Sequence, residues 1–216
     1  MIYNNDTAAK VAVSLLQINA IKLNNTQPFT WASGLRSPIY CDNRKALSYS
    51  EIRTYIRQEL VKAIADYFGD INVIAGVATA GIPQGVLVAQ EMGLPFVYVR
   101  SSKKEHGMTN QIEGVINEGQ SVVVIEDLVS TGKSSLNAVH ALREVKANVK
   151  GMAAIFSYGL PVAEQNFKNA NCSLVVLSDY NALIKEAIDK NYITETDKLS
   201  LLEWRKDPQA WSDQHQ

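Results

Sequence analysis

VVVIEDLVSTGKSS, residues 122–135, is a β-branched apolar run followed at once by two carboxylates and a turn rich in hydroxyls and glycine. Residues 122–125 read as a buried strand, and a helix is expected from about 134 to 145. Glu126 and Asp127 stand where that strand ends and the helix is about to begin. The turn supplies Leu128, Val129, Ser130, Thr131, Gly132, Lys133, Ser134 and Ser135. Unpaired backbone N–H groups at a helix start form an anion site, and the hydroxyls add donors. Paired carboxylates above such a cradle suit a ligand carrying both a phosphate and vicinal hydroxyls or a cation, as a sugar phosphate does. The run TGKSS resembles the second half of a nucleoside-triphosphate P-loop, but that loop requires glycine five residues before Gly132. Asp127 occupies the position and would repel phosphate, so the P-loop is excluded. One acid alone would read as a residue complementing the helix dipole. Two acids directly after VVVI, with this turn, outweigh that reading.

Outward from this segment, strand and helix patterns alternate. A first helix is capped by Asp6 or Thr7, with Val11, Leu15 and Ile18 on one face. Residues 27–44 read as strand and turn; a second helix opens at a capping box, Ser48 to Glu51, and ends at Gly69. Strands follow at 71–77, 96–99, 149–156 and 173–177, with helices beginning near Pro83 and Val162. Residues 101–114 form a polar loop without apolar period, residues 180–204 are helical, and the tail after Pro208 is loose. Such alternation predicts an α/β fold with βαβ units, a mainly parallel sheet, and ligands along the strands' carboxyl edge.

The 216 residues suit a single domain, and the apolar fraction of 46% is ordinary for a globular chain. A net charge of −1 offers no global field for nucleic acid or anionic membranes, so any bound anion needs a local cluster. Cys41 and Cys172 match no metal or redox spacing, which suits a reduced, cytoplasmic chain. There is no secretory pattern at the start and no apolar run of bilayer length.

The 122–135 segment resembles the phosphoribosyl pyrophosphate signature of type I phosphoribosyltransferases. FTWASGLRSPIYCDNR at 29–44, ATAGIP at 78–83 and RSSKKEHGMTNQIEG at 100–114 are similar to the orotate-using branch of that family. The resemblance implies a single domain over 1–216, with its core at 70–180. Residues 1–45 and C-terminal elements would form a hood, and a flexible loop would cover the site. It implies that Glu126 and Asp127 hold the ribose hydroxyls, that residues 129–134 wrap the 5-phosphate, and that Ser130 also touches orotate. Arg100, Lys104 and His106 would bind pyrophosphate, the last two from a loop closing over the partner's site in a homodimer. Asp127, Lys104 and His106 would be the catalytic set. Mg2+ would be held mainly by substrate oxygens and water rather than by a protein cage.

Three lysines of the family's best-known branch are replaced here, by Ala32, Ala80 and Ser101. Arg36 and Arg44 are the substitutes at hand, and Arg44 is the candidate contact for the carboxylate of orotate. A purine or uracil phosphoribosyltransferase would share the signature without this hood. A phosphoribosyl pyrophosphate-sensing regulator would need a DNA-binding domain or a basic RNA-binding face. Residues 1–28 have neither the length nor the basic stripe for the former, and the net charge does not support the latter. Outside this context Lys103 and Lys104 are an ordinary solvated pair. His140 reads as structural on its helix, His215 lies in the tail, and Cys41 lacks a histidine partner. Trp31 and Tyr40 either stack on a base or are buried in the hood.

Overall fold

A computed structural model describes residues 1–31, 33–102 and 111–215. In chain order the first elements are α1 (Asn5–Gln17), β1 (Ile21–Leu23), β2 (Phe29–Thr30), β3 (Arg36–Ser37), β4 (Ile39–Cys41) and α2 (Ser50–Phe68). The core follows with β5 (Val73–Val77), α3 (Gly81–Met92), β6 (Phe96–Val99), β7 (Ile112–Glu113), β8 (Ser121–Val129), α4 (Lys133–Glu144), β9 (Asn148–Ser157), α5 (Pro161–Asn169) and β10 (Leu174–Asp179). Three helices close the chain: α6 (Tyr180–Asp189), α7 (Glu195–Lys206) and α8 (Pro208–Gln214).

The central sheet has the order β10-β9-β8-β5-β6-β7, parallel except for β7. Its middle strands are buried on both faces, with α2, α3 and α4 packed against the sheet and α5 packed on α4. That double coverage is why β5 and residues 122–125 of β8 are wholly apolar rather than alternating. The hood consists of two antiparallel pairs, β1 with β4 and β2 with β3. Helix α8 packs on β3.

Several local expectations change. Asn4, not Asp6 or Thr7, caps α1, its side chain accepting from the Thr7 N–H at 2.8 Å. The capping box at residues 48–51 does not form. Residues 43–48 are a 3-10 turn, so Ser48 is already committed to it and Tyr49 stands at the cap. The polar stretch contributes a strand, β7, which pairs with β6. The helical segment 180–204 is broken at Asn191, whose φ is +59°, and restarts at a capping box of Thr194 and Asp197. The tail after Pro208 is not loose. Asp207 caps α8, Pro208 opens it, and Trp211 is buried at 3% exposure.

Gly81 sets the spacing between α3 and β8. A Cβ there would lie 2.4 Å from the carbonyl oxygen of Ile125, backbone against backbone with nothing flexible to yield. Gly81→Ala is therefore expected to destabilise the protein by about 1–3 kcal/mol, read as a lowered urea midpoint. An unchanged midpoint would mean that the helix and strand separate without cost.

Candidate active site

Strands β6 and β8 flank β5 on opposite sides, so the strand order reverses there. In open α/β sheets a crevice forms outside the carboxyl ends at that point. Into it project residues 78–81 after β5, Arg100 after β6, the end of β8, and Tyr158 after β9. The fold thus gathers at one edge those expected residues that are described.

The two carboxylates are not equivalent, because β8 continues through both of them to Val129 rather than ending before them. Glu126, 5% exposed, accepts from the Ser135 hydroxyl of α4 at 2.8 Å and from the Asp127 N–H at 3.0 Å. Asp127 is anchored from the hood, where the Asn43 side-chain amide donates to its backbone carbonyl at 2.7 Å. Burial, followed by the neighbouring Asp127 charge, pushes the Glu126 carboxyl well above the ordinary range. Burial also raises Asp127, opposed by hydrogen bonding and by the Arg44 charge. The strain of placing two acids here thus falls chiefly on Glu126. Among the described residues no group of three or more His, Cys, Asp or Glu could hold a metal. A divalent cation at this pair would need further oxygens from water and ligand, which magnesium readily accepts.

The turn after β8 is braced from outside. The Tyr158 N–H donates to the Val129 carbonyl at 3.1 Å, and the Asn166 amide to the Thr131 carbonyl at 3.0 Å. Gly132 is required twice over. Its φ is +77°, and a Cβ would sit 2.7 Å from the Phe167 ring. Thr131, Lys133 and Ser134 are exposed around the start of α4. Here the first turn of a helix leaves N–H groups for an anion.

Beside the turn lies a cavity of about 280 Å³ lined by Thr30, Trp31, Tyr40, Cys41, Leu128, Ser130 and Tyr158. Trp31 is both packed and presented: its indole N–H donates to the Ile39 carbonyl at 3.1 Å, and its ring stacks on Tyr158 at 5.4 Å. Trp204 of α7 meets both rings edge-on, at 5.7 and 5.5 Å. Tyr40 is 39% exposed and leans on Phe29. Burial, with the Asp127 and Asp42 charges, raises the Cys41 thiol, so it is held as an unreactive wall.

Arg100 stands at the end of β6, its guanidinium 3.6 Å from Glu113 and its carbonyl accepting from the Gln111 amide. Arg44 is bound by Asp42 at 2.6 Å with its side chain 61% exposed, and Ala80 stands at the start of α3. Lys103, Lys104, His106 and Ala32 lie outside the described residues. His140 is exposed on α4 beside the outer groove with Lys133 and Asn166, not structural, because the core face of that helix is Leu136, Val139 and Leu142. His215 stacks on Trp211 with centroids 3.7 Å apart. Tyr158 was not foreseen, and Ser135, read as a turn hydroxyl, instead serves Glu126. Tyr158 follows a strand's carboxyl end, a signal that the sheet rule could have supplied.

A Phosphoribosyl transferase domain family matches residues 46–189. An orotate phosphoribosyltransferase of Porphyromonas gingivalis is 53% identical over 201 residues, covering 93% of this chain and 96% of that protein. The chain belongs to the orotate phosphoribosyltransferase family. Another member, from Listeria innocua, is 52% identical and covers 94% of this chain and 97% of its own length. The crystal structure of the family member from Aeropyrum pernix matches with a TM-score of 0.73 at 25% identity, over 85% of this chain and 99% of that one. The parallel sheet and crevice are thus the family's fold, and no helix of the described residues is long and apolar enough to cross a membrane.

The raised Glu126 carboxyl predicts a stability gain from its removal. The folded state binds this proton more tightly than the unfolded chain does. The group's contribution is therefore fully present below the unfolded pKa of about 4.3 and is lost as pH rises through the higher folded value. Glu126→Gln should resist urea better than the parent at about pH 8, fall less steeply in stability from about pH 5 upward, and lose activity. A variant less stable than the parent at about pH 8 would contradict this.

Proposed function

We propose that the chain transfers ribose 5-phosphate from 5-phosphoribosyl 1-pyrophosphate to N1 of orotate, giving orotidine 5′-monophosphate and pyrophosphate in pyrimidine nucleotide synthesis. The observation that carries this is one strand end, residues 126–131, placed between a phosphate-type turn and an aromatic cavity. The 5-phosphate would rest on residues 129–134, and the ribose hydroxyls on Glu126 and Asp127. Ser130 and the stacked Trp31–Tyr158 pair would hold the base. As the bond from C1′ to the pyrophosphate oxygen breaks, its electron pair leaves with pyrophosphate, and N1 of orotate forms the new bond with the pair freed when its N–H proton is lost to solvent. C1′ is cationic in between, and a carboxylate at Asp127 opposes that charge. Arg100 would exchange Glu113 for the departing pyrophosphate, with Lys104 and His106 completing the contact. Magnesium, when bound through substrate oxygens beside Glu126 and Asp127, would neutralise charge on the leaving group. A homodimer with loops exchanged between sites fits this reading. So does a cytoplasmic setting in which the free thiols Cys41 and Cys172 stay reduced.

Incubating the protein with phosphoribosyl pyrophosphate, magnesium and one base at a time tests the reaction. Orotate should be consumed, and uracil, adenine and hypoxanthine should be poor. Asp127→Asn should fold normally and lose turnover by about 10²–10³, the scale for one preorganised electrostatic group. Equal use of uracil and orotate would remove the base assignment, and full turnover in Asp127→Asn would reduce that residue to a structural role.

Lys104→Ala should lower turnover on a similar scale of about 10²–10³ while affecting ground-state binding less. Hybrids of Lys104→Ala and Asp127→Asn chains should regain part of the activity, because one site then receives both defects and the other neither. Hybrids confirmed by mass but inactive would argue that each loop serves its own subunit.

A further inference from the structure

Orotate differs from uracil by one carboxylate, beside the nitrogen that reacts. Among the described residues the aromatic cavity has no cationic side chain in its wall. An anion brought into such a setting without a partner is heavily penalised. A cation just behind the wall would supply the discrimination, and among the described residues the hood offers Arg36 and Arg44.

Arg44, the candidate from the sequence, is already engaged. Its Nε already donates to Asp42 at 2.6 Å, and most of its side chain is in solvent. Arg36 is placed differently. It is the direct cross-strand partner of Thr30 in the β2–β3 pair, and Thr30 lines the cavity. Directly opposed residues of such a pair share a face. Arg36 Nη1 donates to the Thr30 hydroxyl at 3.0 Å, so the guanidinium lies against the cavity's rim. Its Nε is cut off from water and, among the described residues, has no hydrogen-bond partner. No carboxylate pairs with it among them either. A buried donor left unpaired is a cost that native structures seldom carry without a use. The backbone is fixed as well, since the Arg36 N–H donates to the Ser212 hydroxyl of α8 at 2.9 Å.

We propose that Arg36 is the specificity-determining residue that receives the carboxylate of orotate, through the edge formed by Nε and Nη2. That edge matches a carboxylate with two parallel hydrogen bonds, while Nη1 keeps its bond to Thr30. The inference rests on the orotate reading above and adds to it the residue that tells orotate from uracil.

Calorimetric titration of the intact protein with orotidine 5′-monophosphate and, separately, uridine 5′-monophosphate tests this without relying on turnover. The parent should prefer the former. Arg36→Gln should weaken orotidine 5′-monophosphate about 10- to 100-fold, the range for a charge-assisted hydrogen-bonded pair, and leave uridine 5′-monophosphate within about twofold. In steady-state assays its KM for orotate should rise and its KM for phosphoribosyl pyrophosphate should not. Arg36→Lys, which keeps the charge without the fork, should fall between parent and Arg36→Gln. It also serves as the folded comparison should the glutamine variant unfold. A parent preference that survives in both variants overturns the proposal, as does equal weakening of both nucleotides or loss of preference in Arg44→Gln instead. A parent with no preference sinks the base assignment itself, and the role of Arg36 with it.

Discussion

Glu126 is buried at the end of the central strand, where a carboxylate is costly to ionise, and its neighbours are arranged to hold it there. Ser135 supplies a hydroxyl from the start of α4, and the Asp127 N–H supplies a second donor. Satisfying Glu126 therefore fixes where α4 begins relative to β8, and with it the turn that would wrap a phosphate. The close approach of Gly81 to the Ile125 carbonyl sets the opposite wall. A charge that the fold would rather not contain is thus what aligns the phosphate turn with Asp127. This is a familiar opposition between stability and site chemistry.

The central half of the molecule was legible because its signals are local. A β-branched run, two acids and a hydroxyl-rich turn lie within one stretch of chain, and a buried parallel strand must read as continuous apolar sequence. The sequence misplaced the strand's end, since nothing in the composition of residues 126–129 marks β8 as continuing through them. That error mattered, because both carboxylates belong to the strand itself, with Glu126 buried and Asp127 partly exposed. The tail was misread for a related reason. Helix α8 is short and polar, and what orders it is the burial of Trp211 against elements far away in the chain.

The second half of the site is built from distant pieces and was read less well. Its cavity combines β2, β4, the end of β8 and Tyr158, and α7 backs it with Trp204. Trp31 and Tyr40 left two readings open because burial and presentation are not alternatives there. Trp31 is packed on one side by Trp204 and shows its stacked edge to the cavity. Arg36 and Arg44 looked alike in the sequence, because the hydrogen bond from Arg44 to Asp42 is visible only in three dimensions.

The bond from the Arg36 N–H to the Ser212 hydroxyl joins positions 176 apart. A ribosome releases the chain from its amino end, and domains fold as their residues emerge. The sheet, the carboxylates and the phosphate turn are all in hand once β10 is out. The hood, though translated first, has no floor until the final helices follow. Nascent chains therefore complete the β8 side of the crevice before the hood side. A message truncated within α7 would yield a protein with an ordered turn after β8 and an unfinished aromatic cavity.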